Sequence, residues 1–225
     1  MSNALELWNR WCNEQRITEQ AVPLFSYDEN LVVRTRSIGS SSKRPVLCRH
    51  EEMEKLVLNQ VSILNTDWTD GVHDYDGLIY LMFVGGNENV VPLYIGKAET
   101  FGKGDRNLSV NLRNLHTDRS KFARWGDNYQ YHIGDLSAAV LAGHDAGKVS
   151  PKYEKWAGAL FEDLEQRSLK LRQPVYFWAK AWKPTDRGIW AEMKPTRLTF
   201  LEYMLIGVAS AAFGTTLLNN EGHNR

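Results

Sequence analysis

The chain has 225 residues, enough to bury a core without disulfides or metals. Hydrophobic residues are 43% and charged residues 24%, a globular balance that excludes disorder, collagen-like and coiled-coil architectures. The 27 Lys and Arg balance 27 Asp and Glu, so no basic tail dominates, and only the distribution of charge bears on a polyanionic partner.

Residues 3–20 place Leu5, Leu7, Trp8, Trp11 and Cys12 at helical spacing and predict a helix. Glu6, Arg10 and Glu14 within the first 16 residues argue against a secretory signal. Residues 30–38 alternate around Leu31, Val33 and Ile38 and suggest a strand, and Ser37 to Lys43 reads as a loop. Residues 50–65 open with Glu51-Glu52 and put Met53, Leu56, Val57, Val61 and Leu64 on one face. That predicts a helix whose acidic first turn matches the dipole. The Asp-rich stretch 66–76 reads as a loop. It is the expected boundary between an N-terminal helical extension (1–70) and a main domain (71–225).

Two apolar runs, Leu78 to Val84 and Val90 to Gly96, flank the turn residues 85–89 and predict a β-hairpin. A Gly-rich loop follows (Gly96, Gly102, Gly104), then an expected helix near 106–116 and a short strand at 129–133. Residues 151–170, with Pro151 early and Trp156, Leu160, Phe161 and Leu164 on a stripe, predict a helix. Residues 174–182 predict a strand and 197–213 a last helix ending near Gly214. Tyr203 to Leu218 is a run of sixteen uncharged residues, shorter than the roughly 20 of a membrane span, and reads as a buried core helix. Cys12 and Cys48 have no metal spacing and suggest a reducing compartment, hence a cytoplasmic protein.

Charge is segregated. Residues 61–76 hold Asp67, Asp70, Asp74 and Asp76 and no Lys or Arg. Residues 34–49 hold Arg34, Arg36, Lys43, Arg44 and Arg49 and no acid. Residues 94–124 and 165–197 are net +4 and +5. A single block is usually a solvated face, but three basic blocks in a neutral chain favour one side facing a polyanion.

Gly96 to Gly104 is not a Walker A loop: the spacing to Gly102-Lys103 is one residue too long, and no Ser or Thr follows the Lys. Asp74-Tyr75-Asp76 is a D-x-D pair that reads as solvated loop rather than a two-carboxylate metal site. The hairpin carries more. Leu78-Ile79-Tyr80 and Tyr94-Ile95-Gly96 lie on adjacent strands, where an antiparallel pair can bring two phenols to one face. Taken alone, both tyrosines are ordinary strand residues.

With the rest of the chain, the segment resembles the GIY-YIG nuclease family over about 77–225. The first motif stands as Gly77-Leu78-Ile79-Tyr80, its Gly displaced by one, and the second as Tyr94-Ile95-Gly96-Lys97. Candidates for the family's helical Arg, often paired with a His, are Arg106, Arg113 and His116. The Glu of the family's later helix is matched by Leu201-Glu202-Tyr203 and its closing Asn by Asn219-Asn220. Residues 127–171 look like an insertion, and the long Gly-rich loop leaves the choice between Arg106 and Arg113 open.

The resemblance implies an α/β (α+β) core, a small, mostly antiparallel sheet flanked by helices. It implies a Mg²⁺- or Mn²⁺-dependent endonuclease acting on double-stranded DNA. The site would comprise Tyr80, Tyr94, Arg106 or Arg113, His116, Glu202 as metal ligand and Asn220. Lys97, Lys103, Arg34, Arg36, Lys43 and Arg44 are the expected DNA-binding cations. Chemically, an Arg fork neutralises non-bridging phosphate oxygens, and one carboxylate suffices for a largely hydrated Mg²⁺. A phenol near cations can take a proton, Tyr80 being the preferred acceptor. His132 and His144 read as surface or structural. No zinc finger or helix-turn-helix array follows Leu218 in this sequence, which favours a restriction-type or phage-defence enzyme over a homing one. The N-terminal extension and the insertion are then the expected specificity elements. A homodimer suits the cutting of two strands. Alternatives are a repair or structure-specific nuclease and a catalytically idle nucleic-acid-binding protein.

Overall fold

The structure is a computed structural model describing residues 3–39, 44–86, 89–102, 107–164, 169–190, 193 and 196–222. The expected hairpin forms its centre. β4 (Gly77–Val84) pairs with β5 (Val91–Glu99) on one side and β6 (Tyr176–Trp182) on the other, both antiparallel. β1 (Val22–Pro23) extends β6, giving the order β1-β6-β4-β5. Every residue of β4 is buried. A central strand covered on both faces reads as a continuous apolar run, which is what Leu78 to Val84 is.

One face, carrying Ile79, Leu81 and Phe83, packs against α1 (Asn3–Glu14) and α6 (Leu198–Phe213). The other, carrying Leu78, Tyr80 and Met82, packs beneath α3 (Glu51–Thr69), α4 (His132–Val140) and α5 (Pro151–Leu160). A separate hairpin of β2 (Thr35–Ile38) and β3 (Arg44–Leu47) rests against α4. The chain is therefore mixed α/β, with a small antiparallel sheet flanked by helices. The stretch before residue 70 supplies an outer strand of the sheet and helices on both faces.

Several sequence expectations are corrected. The helix over 3–20 breaks at Arg16, whose φ of 53° is left-handed, into α1 and α2 (Ile17–Gln20). The helix begun at residue 51 runs on to Thr69, so the Asp-rich loop starts inside it. Asp67, buried in its last turn, accepts hydrogen bonds from the Asp74 and Tyr75 N–H groups and ties the loop back. No helix forms over the described part of 106–116: residues 110–117 are successive turns, with Asn114 at φ 61°. The strand expected at 129–133 is instead the entry to α4. Gln130 turns at φ 72°, and its N–H is held by the Asp135 carboxylate at 2.8 Å. α5 stops at Leu160, where Phe161 extends and bridges Leu171.

Among the described residues one helix, Leu198–Thr216 with its 3-10 extension, is long and apolar enough to cross a membrane. It packs on α1 and the sheet. Asp76 on the β4 approach accepts from the Leu198 N–H at α6's first turn and pairs with Arg197 at 2.8 Å, while Asp74 pairs with Lys183. The D-x-D carboxylates are thus both engaged in anchoring the chain.

Candidate functional site

The hairpin register sets Tyr80 opposite Gly96 and Met82 opposite Tyr94. Tyr80 and Tyr94 therefore share a face, with ring centroids 6.4 Å apart. Gly96 is fixed by this pairing: a Cβ there would lie 2.6 Å from the Tyr80 hydroxyl and ring edge. The Gly of Tyr94-Ile95-Gly96 is the space into which the Tyr80 ring lies. Gly77, at φ 149°, is fixed in the same way, because a Cβ would meet the Ala98 carbonyl oxygen at 2.3 Å.

The two phenols then diverge. Tyr80 is sealed, 1% exposed, and its hydroxyl meets His132 Nε2 at 3.2 Å. His132 Nδ1 meets the Tyr153 hydroxyl at 2.8 Å. The imidazole packs against Trp125 and stacks on Trp156, its centroid 4.7 and 5.1 Å from theirs. Burial, with Lys152 and Arg124 nearby, holds His132 well below its usual pKa. A neutral imidazole has one donor and one acceptor nitrogen, so one phenol donates to it and the other receives its proton. The structural reading of His132 fits this placement in the core. His144 is likewise built in, its Nε2 donating to the Pro45 carbonyl and its Nδ1 accepting from Tyr129.

Tyr94 is half-buried at the free edge of β5 and lines a cleft of about 250 Å³ with Lys152, Glu202, Asn219, Asn220 and Glu221. Residues separated by up to 127 positions meet here because α6 packs along β5 and the segment after it returns to the strand. The Leu218 N–H donates to the Leu93 carbonyl at 2.7 Å. The Asn219 side chain accepts from the Ile95 N–H at 3.0 Å and donates to its carbonyl at 2.8 Å. Asn219 thus satisfies the outer edge of β5 as a further strand would, and leaves the exposed Asn220 at the cleft. Of the two asparagines, the buried one binds the backbone of the second tyrosine motif.

The electrostatics run against a phenolate. Burial outweighs nearby Arg124 and pushes Tyr80 well above its usual value and Tyr94 up to about 12. Glu202 is pushed up to about 7, first by burial and then by Glu99 and Glu221; Lys97 opposes the shift. Lys97 is itself ion-paired with Glu99.

Lys97 and Arg113 line a second cleft of about 530 Å³, with Glu99 and Arg124 on its wall. Arg113 and His116 are both exposed, and His116 lines neither cleft. Arg106, Lys103 and Lys43 lie outside the described residues. Of the other expected DNA-binding cations, Arg34 and Arg36 are exposed and Arg44 is half-buried. Arg36 pairs with Asp127. Arg44 donates to the Asp127 carbonyl and the Asn128 side chain and lies 4.7 Å over the Tyr129 ring.

Arg124, Lys152 and Tyr153 were not among the sequence candidates. Arg124 sits in a 3-10 turn (Phe122–Arg124) at φ 74°, a geometry no periodicity announces. Lys152 and Tyr153 had a usable signal: Lys152 and Trp156 are four apart on a helix and share a face.

Among the described residues no three His, Cys, Asp or Glu side chains group as a metal cage. A single half-buried carboxylate flanked by amide and carboxylate oxygens suits a cation that keeps most of its own waters, as Mg²⁺ does. Comparison of the chain with family models, curated proteins and solved structures returned no match.

Proposed function

We propose that the chain is a Mg²⁺-dependent endonuclease of GIY-YIG type that hydrolyses phosphodiester bonds in double-stranded DNA, serving restriction or phage defence. The supporting observation is the convergence of Tyr94, Glu202 and Asn220 on one cleft, with the Tyr80 ring tilted against Tyr94 behind it. These are four of the positions carried by the resemblance, drawn from three distant segments. Core packing alone accounts for the sealed Tyr80 but not for a half-buried carboxyl group, Glu202, lining the cleft with Tyr94.

Glu202, with Asn220 and Glu221 beside it, is the group that would hold the metal. A hydrated Mg²⁺ there would neutralise charge on the phosphate and the leaving oxygen. Tyr94, with its pKa near 12, keeps its proton at neutral pH and acts as a hydrogen-bond donor to a phosphate oxygen or the attacking water. Tyr80 holds the floor under Tyr94 and does not itself face the cleft. Arg113 and Arg124 give the second cleft the charge to follow a neighbouring phosphate, Lys97 there being paired with Glu99. Two strands and one such site per chain suit a homodimer.

The test is incubation of the protein with plasmid and phage DNA, with and without Mg²⁺ or Mn²⁺. Discrete fragments that depend on the metal are expected. Intact DNA in every lane, with binding retained, would return the chain to an idle nucleic-acid-binding protein.

A further inference from the structure

The cleft beside Tyr94 has one positive wall, and it comes from the region that looks inserted. Lys152, at the start of α5, reaches over three rings: its Nζ is 5.0 Å from the centre of Tyr94, 5.2 Å from Tyr153 and 5.3 Å from Trp156. A cation on one aromatic face is common; three faces around one amine fix its position. Its stem is partly buried, and it has no ion-pair partner among the described residues. Elsewhere around the clefts the basic side chain of Lys97 is taken up by Glu99. Glu202 and Glu221 line the same cleft. The cavity therefore carries two carboxyl groups, one positioned ammonium and the Tyr94 phenol.

Resting on the nuclease reading, we infer that Lys152 is a further substrate-contacting residue of this cleft, and that its ammonium binds a non-bridging oxygen of the phosphodiester held against Tyr94. A phosphate is the ligand this polarity fits. Its anionic oxygens meet the ammonium, and the two carboxyl groups need a cation between them and it. A carboxylate ligand has the charge but lacks oxygens to engage the ammonium, that cation and the phenol together. Rings cannot neutralise Lys152 as an acid would, so the amine stays available while its position is set.

The test uses the full chain carrying Glu202→Gln to prevent cutting, alone and with Lys152→Met or Lys152→Arg. Met keeps an unbranched stem over the rings and removes the charge; Arg keeps the charge. Affinity for a 30-base-pair duplex is measured against salt, and thermal melts confirm folding. Lys152→Met is expected to lower the salt slope by about 0.9, one phosphate contact, and Lys152→Arg to restore it. In parallel, lysines are acylated with and without the duplex and read by mass spectrometry, with Lys152 expected to be protected. An unchanged slope with unprotected Lys152 overturns the inference. So does a slope lost in Met and not recovered in Arg while the melts match.

The two readings fail separately. Wild type that cuts, with Lys152 unprotected and a full slope in Met, sinks only the Lys152 inference. Wild type that binds and never cuts, with the slope lowered in Met, sinks only the nuclease reading. Wild type that does not bind the duplex sinks both.

Discussion

Asp127 and Glu202 are both acids withdrawn from water, and their surroundings are opposites. Asp127 is 4% exposed and ion-paired with Arg49 at 2.7 Å and with Arg36, while Arg44 donates to its carbonyl. Arg49, itself buried, also binds Glu54 and the Trp125 carbonyl. Glu202 has the reverse: two carboxylates nearby and a single opposing Lys already paired with one of them. Asp127 is a completed structural joint between β3 and the turn before α4. Glu202 sits where positive charge is short, as an acid that binds a cation on demand would. One acid is buried and the other half-buried, and it is their neighbours that tell them apart.

The largest expected effect strikes the completed joint. Asp127→Ala leaves the buried Arg49 without its closest partner and Arg36 without its ion pair. Breaking a buried pair from one side costs about 3–5 kcal/mol. Denaturant melts should show a loss of this size, and a loss under about 1 kcal/mol would mean that Glu54 alone satisfies Arg49.

At Glu202 the sign is inverted. Its folded pKa near 7 lies above the ordinary 4.5, so the fold favours the protonated form. That contribution is present below about 4.5 and is lost as pH rises through about 7. Glu202→Gln should therefore fold, remove this decline, and melt above wild type at pH 8 in the presence of a chelator. Added Mg²⁺ should raise the melting temperature of wild type and not of the variant. Cleavage should fall by more than about 100-fold in the variant, since even outer-shell partners of a metal are worth up to that. In wild type it should rise as pH passes through about 7. A variant that cuts normally, or a metal shift shared by both proteins, removes Glu202 from the site.

The tyrosines divide along the same line. Tyr80→Phe deletes a buried hydroxyl and leaves one nitrogen of His132 unpartnered, at about 1–3 kcal/mol of stability. Tyr94→Phe should change stability little and lower single-turnover cleavage at least tenfold, a hydrogen bond to developing charge being worth about 1.5 kcal/mol or more. Because both phenols are raised, neither substitution should abolish a rise in rate near neutral pH. Equal stability losses with equal rates would make the pair a packing unit.

How far the sequence reached can be seen in particular residues. The hairpin, α3, β6 and α6 were legible because each is a long apolar pattern of one period. The juxtaposition of Tyr80 and Tyr94 was legible because a hairpin fixes register locally. Their protonation was not, because it depends on α4 and α5 closing over one of them. The turns after Gly102 read as a helix because Leu108, Leu112 and Leu115 are buried at helical spacing, yet Asn114 at positive φ and local Ser109 bonds take the backbone elsewhere. Lys152 and Arg124 were missed because their importance lies in what they face across the fold. The internal partner of Arg36 and Arg44 in the basic block 34–49 was not legible for the same reason: residue 127 comes from far along the chain.

That block gives the smallest expected effect. Arg44 makes two hydrogen bonds to residues 127 and 128 and stacks on Tyr129, so its charge already has an internal role. A cation so placed would have to give up these contacts to reach a phosphate, and the exchange gains little. Arg44→Ala should cost under about 1 kcal/mol, the range of partly exposed polar and cation–π contacts. In the duplex titration it should leave the salt slope within about 0.5 of its parent, where Lys152→Met lowers it by about 0.9. Both titrations can be run on the Glu202→Gln protein at one pH, so the contrast is internal. Arg44→Ala lowering the slope as much as Lys152→Met would mean that the β2–β3 hairpin swings off Asp127 to grip DNA. The joint at Asp127 would then be a switch released by the substrate.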